Sequence, residues 1–215
     1  MIGVIDLAFY AASFVSLLTI VNPFSITSLF LSITQGDSAE KKRIMAKRAS
    51  VTAAAVLIVF ALVGDFILSI FSVTLDAFRI AGGLLIVNIG VRMISGTREQ
   101  LRSEKEKKEA KEKDDVSIIP LAVPLLAGPG AMTTAIALMS EAGTIIRVGM
   151  LMLAIIIVCF ISYFVLIKAD LVNRFLGETG GKVVERVLGL IVMVVGVQFI
   201  INGISGVVSS WSIIA

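Results

Sequence analysis

The chain of 215 residues has no histidine, one cysteine, one tryptophan, two tyrosines and four prolines. Without histidine it lacks the commonest transition-metal ligand and the side chain that ordinarily exchanges protons near neutral pH. Its one cysteine, Cys159, lies in an apolar run, which excludes an internal disulfide and a cysteine metal cluster. Charge is also scarce, since Asp, Glu, Lys and Arg make up 16% of the residues against 57% hydrophobic. With a mean hydropathy of +1.00, this composition describes an integral membrane protein, not a soluble domain. A pI of ≈ 9.1 would suggest a nucleic-acid binder if the basic residues shared a face. They cluster between apolar segments instead, as topology signals facing anionic lipid, and no nucleic-acid partner is expected. No Lys or Arg precedes Lys41, and the apolar stretch from Leu7 to Ile33 is too long for the core of a signal peptide.

Six segments are long enough to cross a bilayer, near 6–34, 48–71, 77–95, 117–140, 147–168 and 185–208. Each crossing needs about 20 apolar residues. The organisation expected is a first three-helix repeat over 1–96, a charged linker over 97–116 and a second three-helix repeat over 117–215, together one membrane domain. Within the linker, Arg98 to Asp115 holds seven basic and seven acidic residues, so it carries no net field and reads as solvated, partly helical through Glu/Lys neighbours.

Basic residues fix the orientation. Lys41, Lys42, Arg43, Lys47 and Arg48 follow segment one, the linker adds seven, and Lys168, Arg174, Lys182 and Arg186 fall in the region where segment five ends and segment six begins. The opposite side has Arg79 and Arg147. This bias places the linker in the cytoplasm and both termini outside a plasma membrane crossed several times. Arg92, near the inner end of segment three, agrees by snorkelling towards the cytoplasm.

The prolines carry the most information. Pro23, Pro120, Pro124 and Pro129 fall in only two of the six segments. Pro23 and Pro129 are 106 residues apart, and the same offset maps Thr27 on Thr133, Ser28 on Thr134, Gly83 on Gly189 and Gly90 on Gly196. Because each half has an odd number of spans, the second half enters the membrane from the opposite side. The expected fold is therefore an all-α integral membrane protein of two inverted-topology three-helix repeats, with helices one and four broken near the midplane.

Proline removes an N–H and clashes with the preceding turn, while Asn22 before it suits a helix N-cap. A half-helix should thus start at Asn22-Pro23, carrying Phe24, Ser25, Thr27 and Ser28 in its opening turns. Gly128, Pro129 and Gly130 break segment four more severely, followed by Ala131, Thr133 and Thr134. Exposed N–H groups and the positive dipole end of such half-helices suit a small carboxylate, and freed carbonyls suit an ammonium group. The competing reading is a pair of simple kinks whose lost bonds neighbouring helices repair. The glycines at 82, 83, 90, 189 and 196 suit close helix packing. Asn88 reads as a packing residue, Gln198 and Asn202 as either packing or pathway groups, and Asp65 as an acid near the outer end of segment two. All four are carried as candidate coupling or pathway residues.

These motifs also resemble a known group. Val21-Asn22-Pro23-Phe24, Arg79-Ile80-Ala81-Gly82-Gly83, Pro120-Leu121-Ala122-x-Pro124 with Ala127-Gly128-Pro129-Gly130, and Gly196-Val197-Gln198-Phe199-Ile200-Ile201-Asn202-Gly203 are similar to those of the MarC/SnatA family of integral membrane proteins. The resemblance runs along nearly the whole chain. It implies six spans and, for characterised members, transport of small neutral amino acids such as glycine and alanine driven by an ion gradient. The function expected is a secondary transporter for such amino acids, working by alternating access around a midplane site. Efflux of other small metabolites or drugs and passive conduction are the alternatives. An enzyme is not expected: there is no paired intramembrane carboxylate, no nucleotide loop and no base beside the Ser and Thr residues. Expected partners are a small neutral amino acid, a coupling ion (proton or sodium) and membrane lipid, with self-association into a homo-oligomer left open. No cofactor or metal is expected.

Overall fold

The computed structural model describes residues 2–96 and 126–212, which form seven α-helices and no strand. The linker, Pro120, Pro124 and the first part of segment four lie outside the described residues. Helix α1 (Ile2–Val21) and helix α2 (Pro23–Ile33) together make the first apolar segment. They are followed by α3 (Ala39–Ile70), α4 (Leu75–Ile94), α5 (Pro129–Ala142), α6 (Ile145–Ile167) and α7 (Ala169–Ser212). Five stretches are long and apolar enough to cross a membrane: Asp6–Ile33, Ala39–Ile70, Leu75–Ile94, Ile145–Ile167 and Thr179–Ser210. The sixth expected span is represented by α5, whose 14 residues are too few to cross alone.

Helix starts follow caps, not hydropathy. Ser38 Oγ accepts from the Lys41 N–H at 3.2 Å, so α3 begins at Ala39 and carries its charged first turns out of the apolar segment expected from residue 48. Thr74 and Thr144 cap α4 and α6 in the same way, accepting from Ala77 and Arg147 at 3.2 and 3.4 Å. Helix α7 begins at Ala169, well before the expected 185, and has one non-helical residue, Gly177 (φ 62°, ψ 177°).

Helices α4 and α7 meet along an antiparallel glycine seam. A Cβ built on Gly83 would lie 2.6 Å from the Gly196 carbonyl oxygen, and one on Gly196 would lie 2.8 Å from the Gly83 oxygen. Gly90 and Gly189 make the same reciprocal contact, at 2.8 and 3.1 Å. Only residues without a side chain let two backbones approach this closely, and in lipid that contact supplies the attraction that hydrophobic burial supplies in water. The packing role expected of these glycines is their role here.

At one end of the bundle, ion pairs tie helices together. Asp6 Oδ1 on α1 accepts from Arg147 Nε on α6 at 2.9 Å, and the Arg147 guanidinium sits 5.6 Å from the centre of the Phe9 ring. Glu141 on α5 accepts from Arg79 on α4 at 3.0 Å, and Asp76 from the same arginine at 3.3 Å. The two basic residues that the sequence assigns to the outer face thus bridge between elements.

Candidate functional site

Asn22 ends one helix and begins the next. Its N–H donates to the Leu18 carbonyl at 2.9 Å and completes α1, while its left-handed backbone (φ 44°, ψ 67°) turns the chain out of helix. Asparagine tolerates this conformation better than most side chains. The same residue then caps α2: Oδ1 accepts from the Ser25 N–H at 3.4 Å, and Nδ2 donates to Ser25 Oγ at 2.7 Å. Pro23 follows at the first helical position, where its missing N–H is no loss. Asn22, with 1% of its surface exposed, is buried.

Beyond this break lies a cavity of ≈ 310 Å³. Phe24, Ser25, Thr27 and Ser28 of α2 form one wall, and Asn173, Leu176, Gly177, Gly181, Lys182, Val184 and Glu185 of α7 form the other. Glu185 is buried, at 8% exposure, and stands one helical turn from Lys182. The cavity therefore combines serine hydroxyls with charges of both signs. The Thr27 hydroxyl donates to the Phe24 carbonyl at 2.7 Å, so it offers the cavity lone pairs only. The Ser25 N–H is likewise directed at the Asn22 side chain.

The second break opens on a different environment. Gly128 precedes α5 with extended backbone (φ −65°, ψ 170°) and no side-chain cap, and Pro129 begins the helix. Gly130, Ala131 and Thr133 are buried in helix packing. A Cβ on Gly130 would lie 2.8 Å from Ile89 Cδ1 and 3.4 Å from Ile20 Cγ2, so this glycine admits α1 and α4 rather than a ligand. Thr133 turns its methyl group to Gly82, and the Thr134 hydroxyl donates to the Gly130 carbonyl at 2.8 Å. The first break thus lines the cavity against α7, while the small side chains of α5 are spent on close packing.

The four pathway candidates also lie apart from the cavity. Asp65 is exposed near the end of α3, as an interfacial acid would be. Asn88 is exposed on α4. Gln198 Nε2 donates to Asn202 Oδ1 at 2.7 Å, four residues on along α7, so these two bond each other. Sequence reasoning missed Glu185. It falls at the edge of segment six, where a carboxylate is ordinarily solvated, and hydropathy carries no sign of its burial. The Gly177, Gly180 and Gly181 cluster before it was the available signal.

The family model for MarC family integral membrane proteins matches residues 7–208. The chain belongs to the MarC family. A UPF0056 membrane protein of Methanocaldococcus jannaschii is 38% identical over 201 residues, 94% of this chain and 98% of that protein. One of Escherichia coli is 34% identical over 203 residues, 94% of each chain, and one of Buchnera aphidicola is 32% identical over 207 residues, 96% of each. No solved structure matches. As a MarC family protein the chain is an integral, multi-pass membrane protein, and its cavity lies inside the region the family model covers.

Proposed function

We propose that this MarC family protein is a secondary transporter for small neutral amino acids, with the substrate held between α2 and α7. The observation that carries this reading is the cavity itself. At ≈ 310 Å³ it is at the small end of ligand pockets, about 300–1,000 Å³, and Lys182 and Glu185 present opposite charges to it. A glycine or alanine zwitterion matches that pattern: its carboxylate faces Lys182 and the Ser25 and Ser28 hydroxyls, and its ammonium faces Glu185. The dipole of α2 adds a positive end on the carboxylate side.

Alternating access by inverted repeats is supported by the glycine seam. Gly83 meets Gly196, and the offset of 106 residues converts that pair into Gly189 and Gly90, which also meet. An axis in the membrane plane relates such contacts. The Asp6–Arg147 and Arg79–Glu141 pairs close the end that we assign to the exterior, while the cavity lies towards the end that carries Lys41 to Arg48. That favours an inward-facing transporter over a continuous channel.

Purified protein in proteoliposomes is expected to accumulate glycine or alanine above the external concentration, and an ionophore that dissipates the proton or sodium gradient should abolish the excess. Equilibration without accumulation would identify a channel, and no binding of either amino acid by folded protein would sink the substrate assignment. Orientation has its own test. In a Cys159→Ser background, cysteines at Ser38 and Ser72 should label from inside and outside respectively, and labelling from one face would refute the topology.

The ion pairs make a further prediction. The Asp6 and Arg79 side chains are largely buried, so Asp6→Asn with Glu141→Gln should lower the melting temperature measurably while leaving folded protein. The variant should also let an impermeant thiol reagent added outside reach a cysteine at Ser25, which is shielded in the parent. Equal shielding in both would remove the pairs from any gate.

A further inference from the structure

A second cavity, of ≈ 630 Å³, runs along the outside of the bundle between α3 and α6. On α3 it follows one face through Arg43, Lys47, Ser50, Val51 and Ala54, and on α6 through Ile156, Cys159, Phe160 and Tyr163. Its composition changes with depth. The mouth holds Arg43 and Lys47, with Glu40 and Ile44 at its rim, and the remainder is apolar except for Ser50 and the tyrosine hydroxyl. From Arg43 to Ala54 the helical rise is about 16 Å, close to half the ~30 Å thickness of a bilayer's hydrocarbon core.

Two polar groups are arranged towards this groove. Arg43 Nε donates to Tyr163 Oη at 3.3 Å, which holds the guanidinium across the mouth and uses one of its five N–H groups. Ser50 is 4% exposed and its hydroxyl has no hydrogen-bond partner. Elsewhere Thr19, Thr34, Thr134 and Ser162 each donate to the carbonyl four residues back, at 2.7 to 2.8 Å. Ser50 departs from that habit at the level where a lipid's glycerol and ester oxygens would lie.

We propose that this groove is a binding site for an anionic diacyl phospholipid of the adjacent leaflet, with its phosphate on Arg43 and Lys47 and an acyl chain along Val51, Ala54, Ile156 and Phe160. Charge at one end and apolar lining over one leaflet's depth match an anionic lipid in sign, length and polarity gradient. A lysine and an arginine together recognise a phosphate whose headgroup adds no compensating cation.

The test is thermal unfolding of the full chain in detergent, titrated with dioctanoyl phosphatidylglycerol, dioctanoyl phosphatidylcholine or inorganic phosphate. Phosphatidylglycerol is expected to raise the melting temperature saturably, with the other two without effect at the same concentrations. Arg43→Gln with Lys47→Gln should raise the half-saturating lipid concentration at least about tenfold, whereas Arg92→Gln, which removes a basic residue outside the groove, should leave it unchanged. Ala54→Phe, which fills the apolar part, should weaken binding with both charges intact; if that variant does not fold, the exposed charge variants decide. Equal stabilisation by phosphatidylcholine, an equal response of the double variant, or no response to phosphatidylglycerol overturns the proposal. So does a shift with inorganic phosphate alone, which would mark a bare anion site, and so does a detergent-stable dimer abolished by Ala54→Phe, which would give the groove to a second copy of the chain.

Discussion

Glu185→Gln is expected to lower glycine affinity about ten- to a hundredfold while leaving folded protein in the membrane. The carboxylate is buried in the cavity wall between α2 and α7, and in the proposed pose it accepts from the substrate ammonium. Losing a hydrogen bond to a charged group costs about 1.5–3 kcal/mol, which is that range of affinity. Glutamine keeps the volume and one carbonyl acceptor, so the melting temperature without substrate separates lost binding from lost folding. Lys182→Gln should weaken binding through the carboxylate end, and Asp65→Asn, outside the cavity, should not. Glycine binding by folded Glu185→Gln at parental affinity would place the substrate elsewhere.

The second large effect concerns stability. Gly83→Leu and Gly189→Leu are each expected to abolish the folded monomer or lower its melting temperature severely, and Gly149→Leu, where nothing lies within 4 Å, should leave it unchanged. At Gly83 the obstructing atom is the Gly196 carbonyl oxygen, 2.6 Å from the new Cβ, and backbone cannot swing aside as a side-chain end can. Even one inserted methyl in a tight interface costs about 1–3 kcal/mol, and leucine adds three more carbons. In lipid, separated helices regain no hydrophobic driving force, so the lost contact is not compensated. Similar losses at Gly83 and Gly189 are expected because the repeat offset exchanges them. A stable Gly83→Leu protein would show that the seam does not hold the bundle together.

Much of this fold was legible because membranes force simple rules on sequence. Apolar length located five stretches, and Asn22-Pro23 announced a broken helix because its two residues lack alternatives there. The glycine seam was readable because close backbone approach admits few substitutes. The candidate site was only half legible. Ser25, Thr27 and Ser28 reach a cavity, but Gly130 and Thr133 carry the same signature and are packed against Ile89 and Gly82. A small residue at a helix start looks alike whether it clears space for a ligand or for another helix. Glu185, Asp6 and the pairing of Arg147 escaped notice for a different reason. Their surroundings come from residues far away in sequence, as with Asp6 and Arg147, 141 residues apart, and one-dimensional hydropathy does not record such meetings.

Gly177 gives the cavity a mechanical property. Residues on both sides of it line the space, Asn173 and Leu176 before, Gly181, Lys182 and Glu185 after. Its backbone (φ 62°, ψ 177°) lies in a region essentially reserved for glycine, where no side chain resists rotation. The part of α7 from Ala169 to Gly177 is therefore a helical arm about 12 Å long, anchored at Ala169, which is buried in the core and follows α6 after a single residue. A turn of about 10° at Gly177 would shift Asn173, four residues away, by about 1 Å, and the α4–α7 seam begins only at Gly189, beyond the turn. The α7 wall of the cavity is thus two helical pieces joined at one glycine, one held by the buried Ala169 and the other by the glycine seam.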